Sequence, residues 1–177
     1  AAGGTVSNCV IRNHRADTTH AGSAAYLTGA NALITHCIVT NNYGGSNDRR
    51  CDALCLEAGA RGENSLIAGN TSTRDTEPGG VDLISSTLVN CTVAGNRALG
   101  ANGVGGIRVS DDSMVLNCAI AGNVTTGHDE TWNNVNPDKY AVFTSCVFDG
   151  TTIPGFKCVT VGSPDEIFRN IARGDYR

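Results

Sequence analysis

The chain has 177 residues, 40% of them hydrophobic and only 17% charged, with 22 glycines and a formal net charge of −4. That balance offers no general attraction to nucleic acid or to an anionic membrane surface, and no run approaches the roughly 20 apolar residues that span a bilayer. The length allows one domain with a sizeable core; with four Phe, four Tyr and one Trp, that core falls to aliphatic and small side chains.

Taken in order, the chain repeats one phrase six times. Val6-Ser7-Asn8-Cys9-Val10-Ile11-Arg12-Asn13 comes first, followed by a loop from His14 to Ala21, a strand near Gly22–Leu27, and Ile34-Thr35-His36-Cys37-Ile38-Val39-Thr40-Asn41. A longer excursion from Tyr43 to Asp52 leads to a strand at Ala53–Glu57 and the unit Asn64-Ser65-Leu66-Ile67-Ala68-Gly69-Asn70. Thr71 to Pro78 precedes the strand Gly79–Leu83 and the unit Asn90-Cys91-Thr92-Val93-Ala94-Gly95-Asn96. Arg97 to Val104 precedes Gly105–Val109 and Asn117-Cys118-Ala119-Ile120-Ala121-Gly122-Asn123. The longest insertion runs from Asn123 to Tyr140, before Phe143-Thr144-Ser145-Cys146-Val147-Phe148-Asp149-Gly150 and a further strand around Gly155–Val161.

The Cys position, held by Ser65 in one unit, recurs at steps of 28, 28, 26, 27 and 28 residues. A fixed period of this size marks a solenoid. Within a unit, Ile107 and Val109 alternate inward on one strand, Met114-Val115-Leu116 forms a second, and Cys118 and Ile120 face inward on a third. Strict alternation breaks at Asn117, where a residue tolerant of left-handed backbone is needed; Asn8, His36, Asn64, Asn90 and Ser145 share that place, and their amides are expected to stack along the axis. The expected fold is therefore all-β: a right-handed parallel β-helix solenoid of about six coils of 26–28 residues, three short strands per coil. A β-sandwich of irregular hairpins would not keep a Cys register from residue 9 to 146.

Eight cysteines would ordinarily suggest a disulfide framework. Here Cys9, Cys37, Cys91, Cys118 and Cys146 share one repeat position beside Val and Ile, where a small thiol packs well, and Ser65 takes that place without a partner. Cys51, Cys55 and Cys158 fall outside this ladder, and Cys51 with Cys55 would close a small loop. Residues 1–177 read as one β-helix domain, expected to be a fragment of a longer chain with no signal peptide at its start. Residues 164–177 are expected to form a C-terminal cap.

The Gly-Gly-Val/Ile starts and Asn-Cys-x-Val/Ile-x-Gly-Asn units resemble the right-handed parallel β-helix superfamily, which includes pectate-lyase-like enzymes and polymorphic outer-membrane-protein repeats of bacteria. Asp165-Glu166-Ile167-Phe168 and Gly174-Asp175-Tyr176-Arg177 resemble the segment that closes many secreted bacterial β-helix proteins. In the enzymes the substrate lies along the first-strand sheet, flanked by the variable loops, so the resemblance implies the outward positions Ala25, Cys55, Asp82 and Arg108, with Glu57 and Ser110 two residues on. Asp82 and Arg108 stand one coil apart in one column: either a surface ion pair, or a place where Arg108 meets an acidic sugar.

A lyase needs a base, for which Arg108, Arg49, Arg50, Lys139 and Lys157 are the candidates. It also needs a means of neutralising a uronate, often Ca2+, for which Asp75, Glu77 and Asp82 are the nearest oxygen set. A hydrolase needs two carboxylates about 5–10 Å apart, and Asp82 with Asp75 or Glu77 would supply them. Catalytic candidates are thus Arg108, Asp82, Asp75 and Glu77; binding candidates are Arg108, Asp82, Glu57, Arg49, Arg50, His128 and Trp132. Trp132 would stack on a sugar ring or plug the core. The four histidines, His14, His20, His36 and His128, are too dispersed for zinc.

The expected function is a secreted or cell-surface bacterial module for carbohydrate binding, adhesion or display. Alternatives are part of a polysaccharide lyase or glycoside hydrolase, and a self-assembling solenoid. No cofactor is required, with Ca2+ the one ion implied. Expected partners are a polysaccharide or cell-surface glycan and, end to end, further copies of the chain, with neither nucleic acid nor membrane insertion.

Overall fold

Backbone that must turn every three or four residues leaves carbonyls without strand partners, and the chain answers this the same way at each corner. A residue in left-handed conformation is followed by a small polar side chain that bonds the stranded backbone groups. At the corner between second and third strands the left-handed residues are Asn8, His36, Asn64, Asn90, Asn117 and Ser145, with φ between 48° and 55°. The Cys or Ser that follows donates to the carbonyl two residues back: Cys37 to Thr35 at 3.2 Å, Ser65 to Glu63 at 2.6 Å, Cys91 to Val89 and Cys118 to Leu116 at 3.2 Å. The same side chain accepts from the coil before, as Ser65 Oγ does from Cys37 N (3.1 Å) and Cys118 Sγ from Cys91 N (3.4 Å). Cys and Ser interchange here because both are small and carry one donor and an acceptor.

The computed structural model describes residues 2–15, 24–44, 52–127, 130–137, 140–150, 153, 155–170 and 173–176. They wind into an all-β parallel solenoid of about five turns. Among the described residues the chain is nearly free of helix, with 3-10 segments at Glu130–Trp132 and Pro164–Glu166. First strands (Leu54–Glu57, Val81–Ile84, Ile107–Ser110, Val135–Pro137) and second strands (Arg61–Glu63, Thr87–Val89, Met114–Leu116, Val142–Thr144) belong to one ten-stranded sheet, fused through the single long strand Ala25–Thr35. Third strands form a seven-stranded sheet from Val10–Arg12 to Val159–Val161. Each middle coil also carries a fourth strand of two residues, as at Thr71–Ser72 and Arg97–Ala98, in a four-stranded sheet that the repeat did not signal.

The core is the inward columns of these sheets: Ile34, Leu56, Leu83, Leu88, Val93, Ile107, Ile120 and Phe148 are each fully buried, and a fully buried side chain of this kind contributes about 1.5–3 kcal/mol. Cys37, Cys91, Cys118 and Cys146 are buried among them, while Cys9 is exposed in the first unit. The seven described cysteines are unpaired; Cys51 lies outside the described residues. Burial raises the Cys91 thiol to about 11. Cys158, set apart in the sequence, in fact extends the ladder: Val159 stands opposite Val147 in register, one residue beyond each Cys.

Two amide ladders run along the axis. The expected one is exposed: Asn117 donates to Asn90 at 2.7 Å and Asn90 to Asn64 at 3.2 Å. The second, at the corner between third and fourth strands, is buried: Asn42, Asn70, Asn96 and Asn123 each donate through Nδ2 to the next amide oxygen at 2.9 Å. Asn134, from the long insertion, receives the bond from Asn123 and donates to Asp149 Oδ1 at 2.6 Å. The Asn-rich stretch thus completes a ladder whose own coil has run out. The insertion passes so close that a Cβ on Gly105 would lie 2.2 Å from the Asn133 carbonyl oxygen, which is why that strand begins with glycines.

Residues 164–170 and 173–176 rest on the flank of the solenoid. Ser163 caps the Pro164–Glu166 turn in a capping box, and Phe168 packs with Ala94 and Ala121, edge-on to Tyr176 at 5.7 Å.

Asn96 makes four ladder bonds: it donates to Ile67 O and Asn123, and accepts from the backbone and side chain of Asn70. Asn96→Ala should therefore destabilise by roughly 2–4 kcal/mol, whereas Asn90→Ala on the exposed ladder should cost under about 1 kcal/mol. Urea unfolding of the two variants checks the contrast.

Candidate functional site

The outward column of the first-strand wall runs Tyr26, Cys55, Asp82, Arg108, Asn136. Ala25 stands opposite Leu54, in the inward column, so the expected outward Ala25 is corrected to Tyr26. Nor is the wall open. The loops that lead into successive first strands stack on each other and cover it, leaving Cys55 at 1% and Asp82 at 0% exposure. A Cβ on Gly100 would lie 1.7 Å from the Arg74 carbonyl oxygen, a measure of how tightly adjacent loops pack.

Asp82 and Arg108 do meet, in a fork. Arg108 Nε donates to Asp82 Oδ1 at 2.9 Å and Nη2 to Oδ2 at 2.6 Å; Nη2 also donates to Glu77 Oε2 at 2.8 Å and Nη1 to the Thr76 carbonyl at 2.7 Å. Burial works against the guanidinium's charge, but the Asp82 and Glu77 carboxylates outweigh it and raise its pKa further. A bidentate, charge-assisted pair of this kind is strong and directional. Its structural effect is to clasp the loop carrying Thr76 and Glu77 onto the sheet.

Asp75 is exposed and outside this fork. Among the described residues no three His, Cys, Asp or Glu side chains are grouped as a metal site, and of the three expected calcium ligands Glu77 and Asp82 bond Arg108. Glu57 is engaged elsewhere, accepting from the Tyr26 hydroxyl. Lys157 is exposed at the last corner, its Nζ 5.2 Å from the centre of the Phe156 ring. Trp132 is half-buried, its carbonyl accepting from Gly105 N at 3.1 Å. His36 sits at a left-handed corner, as its place in the repeat implies. Arg49, Arg50, His20, His128 and Lys139 lie outside the described residues.

A second charged group lies under the same loops. Asp52 is 1% exposed with Arg74 Nε 3.4 Å away. Burial raises the Asp52 carboxyl above its ordinary 3.8, against the opposing effects of Ser72 and Arg74.

A cleft of about 340 Å3 opens elsewhere, on the outer face of the two-residue strands near the start of the solenoid. Asn13, Arg15, Asn41, Tyr43, Gly69 and Thr71 line it. Asn13 and Asn41 are left-handed corner residues (φ 58° and 54°), both exposed, at the position that is Gly in later coils. Tyr43 is 37% exposed, and the Arg15 guanidinium lies 5.2 Å from its ring centre. No carboxylate is among the described lining residues. The cleft's members fall at the repeat's own 28-residue step, as Asn13, Asn41 and Gly69 and as Arg15, Tyr43 and Thr71, but their side chains differ from coil to coil, so no motif marks them.

Set against known proteins, the chain matches no family model, no curated protein and no solved structure.

Two tests follow from the charged groups. Arg108→Ala should destabilise by about 3–5 kcal/mol, since it strands two buried carboxylates, and Arg108→Met with Asp82→Asn should recover part of that loss; an unchanged urea midpoint for Arg108→Ala would remove the clasp. Asp52 has a folded pKa above its unfolded value, so its contribution to stability is full below about pH 3.8 and fades as pH rises through the folded pKa. Asp52→Asn should flatten the stability–pH curve over that window, measured by urea titration at a series of pH values.

Proposed function

We propose that the chain is a non-catalytic glycan-binding module of the secreted or cell-surface kind, and that the cleft between Arg15 and Tyr43 holds an acidic sugar of a polysaccharide. The observation that carries this reading is the cleft's composition. An exposed aromatic ring offers an apolar face to a sugar, and the corner amides of Asn13 and Asn41, with the Thr71 hydroxyl, offer donors and acceptors to ring hydroxyls. The Arg15 guanidinium, with no carboxylate among the described lining residues, favours a carboxylate-bearing unit. The volume falls within the range of small-ligand sites.

The reading as a lyase or hydrolase has less support. Arg108 bonds Asp82, Glu77 and the Thr76 carbonyl through all three of its nitrogens, and Asp82 is wholly covered. A base or acid in that position would have to break the clasp before meeting substrate.

Affinity electrophoresis in polygalacturonate, with a neutral glucan as control, tests the proposal. The wild type should be retarded only in the acidic gel and should release neither unsaturated nor new reducing ends. Tyr43→Ala should weaken retention by about tenfold, an aromatic contact of about 1–1.5 kcal/mol, and Arg15→Ala should remove the preference for the acidic polymer. Retention unaffected by either substitution, or product formation by the wild type, would sink this reading.

A further inference from the structure

The thiol ladder ends differently from how it runs. After Cys146 the chain returns to the same column after 12 residues instead of a full coil, and the shortened rung repeats the corner: Ser145 and Lys157 are both left-handed at φ 55°, and each is followed by Cys. The rung is tightly joined, with Phe156 N bonding Phe143 O at 3.0 Å, Ser145 N bonding Phe156 O at 2.8 Å and Val159 N bonding Cys146 O at 2.9 Å. Cys146 and Cys158 are therefore in-register neighbours on adjacent parallel strands, roughly 4.8 Å apart along the backbone, inside the Cα separation that a disulfide spans. Their side chains take one orientation, each thiol turned to the carbonyl two residues back, at 3.4 Å for Cys146 and 3.8 Å for Cys158.

What distinguishes this pair is access at a shortened rung. Cys91 and Cys118 have buried ladder neighbours, and Cys146 is itself 2% exposed, but Cys158 is only half-buried and stands between the exposed Phe156 and Val159. The ladder's other accessible thiol is the exposed Cys9, a full coil from the buried Cys37. We propose that Cys146 and Cys158 form a two-thiol modification site: Cys158 takes up a low-molecular-weight disulfide, and Cys146 resolves the adduct into an intramolecular disulfide.

The chemistry balances. The Cys158 thiolate, having lost its proton to solvent, attacks one sulfur of glutathione disulfide; a new S–S bond forms, the old one breaks and glutathione thiolate leaves. The Cys146 thiolate then attacks the Cys158 sulfur, forming Cys146–Cys158 and releasing the second glutathione thiolate. The protein loses two hydrogens, and glutathione disulfide is the oxidant, reduced to two thiols. Hydrogen bonding from Cys118, ahead of the opposing effect of burial, lowers the Cys146 thiol to about 7, which suits it to the resolving role; burial raises Cys158, so the first step wants mildly alkaline conditions.

The experiment treats the native full chain with glutathione disulfide at about pH 8.5, quenches in acid, and reads intact mass and a non-reduced peptide map. The expected result is a loss of two hydrogens and one cross-linked peptide joining Cys146 to Cys158. Cys146→Ser should stop at a glutathione adduct on Cys158, and Cys158→Ser should give neither product. Serine is a fair replacement because Ser65 already fills this column with its bonds intact. A wild-type protein that keeps a stable adduct on Cys158, pairs Cys158 with any other cysteine, or leaves Cys158 unmodified would overturn the proposal.

Discussion

Everything in this solenoid depends on the corner: one residue in left-handed conformation, then one small side chain that can both donate and accept. Asn, His, Ser or Lys supplies the first at the Cys corner, and Ser85 does so at the corner between first and second strands, where Ser86 Oγ donates to Ile84 O at 2.9 Å. Gly69, Gly95 and Gly122 supply it at the third, where buried asparagines follow. A left-handed non-glycine residue is unfavourable alone, and an unmet buried carbonyl costs about 1–3 kcal/mol. Joined at each corner and stacked along the axis, the two problems resolve each other. The strands need only be three or four residues long because the corners hold their ends.

This view separates what the amino-acid order made legible from what it hid. The Cys period was legible because a corner cannot shift without moving its side chain to the wrong face, so its register survives loops of any length. The meeting of Asp82 with Arg108 was legible for the same reason, as column neighbours in register. The buried Asn ladder was harder to see: Asn70 and Asn96 look like turn residues closing a strand, and nothing in their local pattern says that a two-residue strand follows and seals them from water. Ala25 and Tyr26 exchanged faces because the buried Leu27 is the inward residue opposite Leu56, and alternation then turns Ala25 inward opposite Leu54 and Tyr26 outward.

Function was the least legible, and for a physical reason. The wall that the resemblance marked as the substrate face is the one the loops cover, and Arg108 holds one of those loops in place. The residues left exposed in a cleft, Arg15 and Tyr43, share one column of the repeat, but their side chains differ from coil to coil, so the period alone does not mark them as a site. A regular scaffold announces its architecture many times over and its binding chemistry only once.

The buried amide ladder also has a direction. Every Nδ2 donates toward the C-terminal end and every Oδ1 accepts from the N-terminal side, so the chain of bonds can be lengthened by inserting another Asn rung but cannot reverse. Asp149 stops it: a carboxylate that accepts from Asn134 and from Gly122 N has no amide hydrogen to pass on. Duplication of a coil, by evolution or by design, is therefore compatible with this ladder anywhere between Asn42 and Asn123. Beyond Asp149 the same duplication would find no donor to join, which makes that residue a one-way terminus for growth of the polar spine.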